Sequence, residues 1–268
     1  MKEIPFFKMA ASGNDFVVID NRKKIVSDAV SFAKRVCEHH DGIGGDGVLL
    51  LESSREADFK MRILNRDGSE AEACGNGFRC IALLAHQKLG FPIRQRFESL
   101  AGMIDAEIKD GRVRVRLMNP KEFKRGQKIK LGQRELSYYF IRVGVPHVVI
   151  FVEGLARLPV LELGRAVRRH PRFQPAGTNV NFVEVTGSHS ISVETYERGV
   201  EENTQACGTG STASAIVASI AGYVKAPVEV KTRGGEILTV DFAKKGDRIQ
   251  DVYLEGEAKL VFEGKWLI

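Results

Sequence analysis

The chain has 268 residues, 43% hydrophobic and 28% charged, with a formal net charge of +6. That length suits one large domain or two of ordinary size, and no apolar run reaches the ~18–20 residues of a membrane span. The basic clusters (Arg22-Lys23-Lys24, Lys121 to Lys130, Arg165 to Arg172) are interrupted and lack zinc spacing or an RNA-binding motif, so they read as solvated faces rather than a nucleic-acid surface.

In chain order, the opening MKEIPFFKMAASGNDF carries Asp15 and no long apolar core. This argues against a secretory signal and makes the cytoplasm the expected location. A strand is expected at 15–20 (DFVVID), a helix at 28–39, and strands at 47–52 and 59–65. A second helix starts just after Cys74 and runs to about Lys88, with Gly90 as its stop. Strands at 103–108 and 113–118 flank Lys109-Asp110-Gly111-Arg112, which fits a tight hairpin. The basic segment NPKEFKRGQKIK (119–130) is expected to hold a domain boundary. Beyond it come strands at 136–144 and 147–153, a helix at 162–169, and strands at 180–185 and 192–197. A fourth helix, filled with small residues, runs from just after Cys207 to about Ala221. Strands at 228–232 and 251–262 complete the chain.

Two stretches resemble one another. Residues 65–82 read NRDGSEAEACGNGFRCIA and residues 197–214 read ERGVEENTQACGTGSTAS. Each places Arg, Gly and Glu upstream of Ala-Cys-Gly-x-Gly and leads into a helix. One cysteine lies in each half, which points to duplication and a pseudo-twofold arrangement. The alternative is chance likeness of two Gly-rich turns.

A helix N-terminus exposes backbone N–H groups and the positive end of the dipole. A cysteine there has more thiolate character, and the N–H groups hold an anion such as a carboxylate. Two such thiols on opposite faces of a substrate α-carbon would remove a proton on one side and return one on the other, inverting the centre without a cofactor. Taken singly, each cysteine would read as a small buried hydrophobe. Cys37 and Cys80, at apolar helical positions, keep that reading. The four cysteines offer no CxxC pair and the six histidines no HxxxH, so no metal site is expected.

These residues resemble the cofactor-independent diaminopimelate epimerases over nearly the whole chain. The match runs through SGNDFVVID (12–20), DGIGGDGVLLLE (41–52), NRDGSEAEACGNGFRC (65–80), GVPHVVIF (144–151), GTNVNF (177–182) and YERGVEENTQACGTGS (196–211). The resemblance implies an α/β (α+β) fold of two pseudo-twofold-related domains, each a strand-rich, barrel-like sheet around a central helix. The active site would lie in the cleft between them. The expected halves are 1–122, carrying Cys74, and 123–268, carrying Cys207, with the last strand returning to the first half. The implied reaction converts LL-2,6-diaminopimelate to meso-diaminopimelate, on the route to lysine and peptidoglycan precursors. It needs no cofactor, and the implied assembly is a homodimer.

By motif, Cys74 and Cys207 are the implied acid/base pair, tuned by His147 and Glu197. The implied substrate ligands are Asn14, Asn65, Asn179, Glu197 and Arg198, with the backbone N–H groups of Gly75, Asn76, Gly208 and Thr209. Arg198 suits a distal carboxylate. Asn14 and Asn65 have an alternative use as turn caps, His147 as a core histidine, and Arg198 as a surface ion pair. Gly47 stands where some members carry Gln, and Val145 where many carry Asn. A side-chain contact to substrate is lost at each.

Three rival readings remain. A racemase or epimerase of proline, hydroxyproline or histidine would share the chemistry but not a distal pocket for a second charged end. The phenazine-type isomerases would lack the paired cysteines. A binding protein or redox sensor would use Cys74 and Cys207 as a reversible disulfide.

Overall fold

The computed structural model describes residues 3–246 and 248–267. The chain forms two compact units, Met1–Arg116 with Glu255–Ile268, and Leu117–Leu254. The first unit opens with β1 (Glu3–Ala11), β2 (Asn14–Asp20), α1 (Ala29–Val36), β3 (Gly47–Glu52), β4 (Phe59–Asn65) and α2 (Gly75–Leu89). β5 (Arg94–Ser99), β6 (Gly102–Lys109) and β7 (Arg112–Arg116) follow. The second unit contains β8 (Lys121–Leu131), β9 (Arg134–Val143), β10 (Val145–Phe151), α3 (Val160–Arg169), β11 (Asn179–Gly187), β12 (Ser190–Glu197) and β13 (Glu202–Thr204). It continues through α4 (Gly208–Ile220), β14 (Val228–Thr232) and β15 (Ile237–Lys245). β16 (Arg248–Glu257) runs across the division in the chain, and β17 (Lys259–Leu267) belongs to the first unit.

The duplication seen in the motifs extends to the strand pairing. In the first unit β1 pairs antiparallel with β2, β2 parallel with β3, β3 antiparallel with β4, β4 parallel with β5, and β5 antiparallel with β6. In the second unit β9, β10, β11, β12, β14 and β15 pair in the same alternation. A parallel pair needs a crossover, and each of the four crossovers contains a helix. β17 adds to the free side of β1, and β7 to β6.

The two kinds of crossover helix bury themselves differently. α1 hides Ala29, Phe32, Ala33 and Val36, one stripe at helical spacing, against Val17, Ile19, Val48 and Leu50. α3 lays Val160, Gly164 and Val167 on a core containing Val148, Phe182 and Tyr196. α2 and α4 carry no such stripe. Ten consecutive residues of α2, Asn76 to Ala85, are buried, and so are all residues of α4 from Gly210 to Ile220. A helix buried all round needs walls on all sides. α2 packs on β1, β2, β3, β6, β7 and β17, and α4 on β9, β10, β11, β12, β14 and β15. Each unit is thus a strand-rich sheet curled about a central helix, as the resemblance implies.

Local signals explain the ends. Gly90 caps α2 at φ 78°, the left-handed conformation a glycine adopts readily. Asp110 and Gly111, both at positive φ, make the two-residue hairpin between β6 and β7.

Two readings differ from the structure, and one stretch holds a strand that the sequence did not announce. The stretch 251–262 is two strands, β16 and β17, broken at Ala258 rather than continuous. The basic segment 119–130 is mostly β8, a strand paired with β9, and its lysines face solvent. Its register slips twice, between Lys121 and Lys124 and between Lys124 and Gln127, which blurs the alternation that marks a strand. The third helix begins two residues earlier than expected, at Val160. No helix among the described residues is long and apolar enough to cross a membrane.

Candidate active site

Each repeated cysteine is the N-cap of a central helix. Cys74 caps α2 with extended backbone (φ −149°, ψ 108°), and its Sγ accepts a hydrogen bond from Gly77 N–H at 3.4 Å. Cys207 caps α4 in the same way (φ −127°, ψ 110°), accepting from Gly210 N–H at 3.4 Å. The carbonyls of Cys74 and Cys207 accept the first helical bonds, from Phe78 and Ser211. Gly75 and Asn76, and Gly208 and Thr209, therefore hold the first two N–H groups of their helices, which have no carbonyl one turn back. This geometry puts a thiol and two backbone donors that have no intrahelical acceptor side by side at the positive end of a helix, where an anion is stabilised.

In the first unit, the site residues are joined by side-chain bonds. Asn14 donates through Nδ2 to Asp46 Oδ2 at 2.8 Å and accepts at Oδ1 from Asn76 Nδ2 at 2.8 Å. Asn76 Oδ1 accepts in turn from the buried Arg79 guanidinium at 2.7 Å, and Arg79 also donates to Ser12 Oγ. These bonds fix which way each amide faces. Asn65 is exposed, and its Nδ2 donates to Ser69 Oγ at 2.9 Å, closing the Asn-Arg-Asp-Gly turn. Here the turn-capping use is realised for the amide nitrogen. Gly47 pairs with Asn65 across β3 and β4. A Cβ at 47 would lie 2.5 Å from the Leu64 carbonyl oxygen, so this backbone leaves no room for a side chain there. Val145 begins β10, half-buried, with no polar group to offer.

In the second unit, Glu197 and Arg198 end β12 and start the turn after it. Arg198 N–H donates to Asn179 Oδ1 at 2.8 Å, and its guanidinium donates to the Ala176 carbonyl at 2.7 Å. Glu197 accepts from Thr204 Oγ1 at 3.1 Å and is hydrogen-bonded to Cys207. Burial lifts the Glu197 carboxyl above its ordinary value, against the opposing pull of those two bonds. A carboxyl raised in this way beside a thiol is a better proton acceptor for it than an ordinary carboxylate. Thr209 Oγ1 lies 3.5 Å from Cys207 Sγ.

His147 is fully buried in β10, and burial lowers its pKa to about 3, helped by the nearby positive charge of Arg198. It is therefore a neutral imidazole at any physiological pH. Asn181, two residues beyond Asn179 and on the same face of β11, lies beside it. Asn181, Thr195, Asp46 and Arg79 are members of these networks that sequence reasoning did not single out. The signal for Asn181 was present in the Asn-Val-Asn spacing, which sets both amides on one face of a strand.

The other two cysteines behave as the sequence suggests. Cys80 is buried within α2, and burial raises the Cys37 thiol to about 11. Among the described residues no group of three or more His, Cys, Asp or Glu converges as a metal site would require.

The sequence model of the diaminopimelate epimerase family matches residues 6–122 and 139–261, covering both cysteine motifs. The chain belongs to the diaminopimelate epimerase family. A curated member from Aquifex aeolicus is 44% identical, over 97% of this chain and 96% of its own. Solved structures with lower identity share the fold. A phenazine biosynthesis protein of the PhzF family from Bacillus anthracis superposes with a TM-score of 0.75 at 18% identity, each chain fully covered. A hydroxyproline epimerase from Agrobacterium vitis gives 0.72 at 17%, over 99% of this chain and 91% of its own.

Proposed function

We propose that the protein interconverts LL- and meso-2,6-diaminopimelate, supplying the route to lysine and peptidoglycan precursors, with one of Cys74 and Cys207 removing the α-proton and the other delivering its own proton to the opposite face. The observation that carries this reading is the matched pair of N-capping thiols, each beside the first two N–H groups of its helix, which have no intrahelical acceptor.

In this reading the α-carboxylate of the reacting centre is held by N–H groups of Gly75, Asn76, Gly208 and Thr209. As the α-proton leaves, charge spreads into that carboxylate, where oriented N–H donors and helix dipoles stabilise it more than they do the ground state. One cysteine removes the proton as a thiolate, and the other donates its thiol proton from the opposite face. Which cysteine starts as base depends on the stereoisomer bound. Glu197, bonded to Cys207 and raised by burial, takes up and returns the proton of that thiol. Arg198, Asn179, Asn14 and Asn65 hold the distal amino acid end, with Arg198 facing its carboxylate in a charge-assisted bond. The Asn14–Asn76–Arg79 chain pre-orients the amides before substrate arrives. The enzyme acts in the cytoplasm as a homodimer.

The test is epimerisation of LL-diaminopimelate under reducing conditions, beside L-proline, trans-4-hydroxy-L-proline and L-histidine. Turnover of diaminopimelate alone is expected. Turnover of an amino acid without a second charged end, and none of diaminopimelate, would move the protein to a sister activity.

A further inference from the structure

The buried amide of Asn181 settles the protonation pattern of His147. Asn181 Nδ2 lies 2.9 Å from the Val148 carbonyl oxygen and 3.2 Å from His147 Nδ1. A carbonyl only accepts, so the atom facing it must be the amide nitrogen. Thr195 Oγ1 donates to the other end, Asn181 Oδ1, at 3.0 Å, in agreement with that orientation. The second hydrogen on Nδ2 then meets His147 Nδ1, which must accept. A neutral ring with an unprotonated Nδ1 carries its proton on Nε2. Nε2 is buried and has no partner among the described residues. Asn181 also touches the mouth of α4, since a Cβ on Gly210 would fall on Asn181 Oδ1, and Gly210 is the residue whose N–H bonds Cys207.

We propose that Asn181 is a positioning residue, supported by Thr195, that locks His147 as the Nε2–H tautomer, so that His147 serves the reaction as a neutral hydrogen-bond donor and not as a proton acceptor. This rests on the epimerase reading for its kinetic consequence but not for the tautomer itself. A buried donor without a protein partner is a costly arrangement, retained where a ligand supplies the acceptor. A neutral imidazole donor stabilises developing negative charge without competing for the proton in transit. The charged group acting on the ring is Arg198, which disfavours a second proton on it.

The test uses protein labelled with 15N-histidine, with His147 identified among the six histidines by the signal lost in His147→Gln. In the wild type, Nδ1 is expected in the unprotonated range and Nε2 in the protonated range from pH 5 to 8. Asn181→Asp places an acceptor where the donor stood and draws a proton to Nδ1. With the unfolding midpoint near wild type, kcat should fall by on the order of 10²-fold or more, while KM stays within ~3-fold. A protonated Nδ1 in the wild type would overturn the proposal, whether or not the variant folds. So would a folded Asn181→Asp enzyme with unchanged kcat, or one whose loss lies in KM alone. A wild type with the expected tautomer but no epimerase activity would overturn the functional reading instead.

Discussion

At the scale of single residues, buried polar groups give the clearest expectations. His147 protonates near pH 6.5 when unfolded but only near pH 3 in the folded protein. The unfolded state therefore binds the extra proton between those values. Stability is full above pH 6.5 and falls as pH drops, by ~1.4 kcal/mol per pH unit for this group. Glu197 has the opposite sign. Its folded pKa is raised, so its contribution is present below the ordinary carboxyl range and is lost as pH rises through the shifted value. The difference between wild type and His147→Gln isolates the histidine. Urea midpoints from pH 7 to 4.5 should fall less steeply in the variant. Gly210 offers a second check, because a methyl there meets Asn181 Oδ1 and Thr195 Oγ1 in a closed space. Gly210→Ala should lose ~1–3 kcal/mol by urea unfolding, the usual range for overpacking. Glu197 and Arg198 entered only through the family resemblance, while Cys74 and Cys207 were readable as candidates because each sits in a short repeated motif whose chemistry is local. The partnership of Asn181 with His147, 34 residues apart, was not, because only the pairing of β10 with β11 brings them together.

At the scale of elements, the cap and the thiol are separable. Cys74→Ser keeps a side chain that accepts from Gly77 N–H, and serine is a favoured N-cap. α2 should keep its stability within ~1 kcal/mol, measured by urea unfolding. Epimerisation should fall by on the order of 10²–10⁴-fold, since a hydroxyl at this position is a far weaker proton carrier. If serine preserved activity, the thiol would be a cap and no more. The same elements show what a sequence makes plain. Helices α2 and α4 were readable from both ends, with Cys-Gly-x-Gly at the start of each and Gly90 or Gly222 beyond. β5, RQRFES, gave less to read. It alternates, but its outward face is charged and only Gln95 and Phe97 are buried. β8 was lost to its lysines and its slipped register.

At the scale of the whole molecule, the repeat is the organising fact. Two units share one alternation of antiparallel and parallel pairs and one placement of a wholly buried helix. The short Ala-Cys-Gly-x-Gly likeness announced this, because each copy opens the buried central helix of its unit. The chain divisions after Arg116 and Leu254 were less visible, since β16 runs across one of them without a break in pattern. If each unit supplies one thiol, the two faces of the substrate carbon are served by different residues. Epimerisation in D₂O at low conversion tests this most directly. Product meso-diaminopimelate should carry solvent deuterium at the inverted carbon while recovered LL-diaminopimelate keeps its protium, and Cys74→Ala and Cys207→Ala should each abolish inversion. Deuterium entering recovered substrate as fast as product, or inversion surviving the loss of either cysteine, would contradict the two-thiol account.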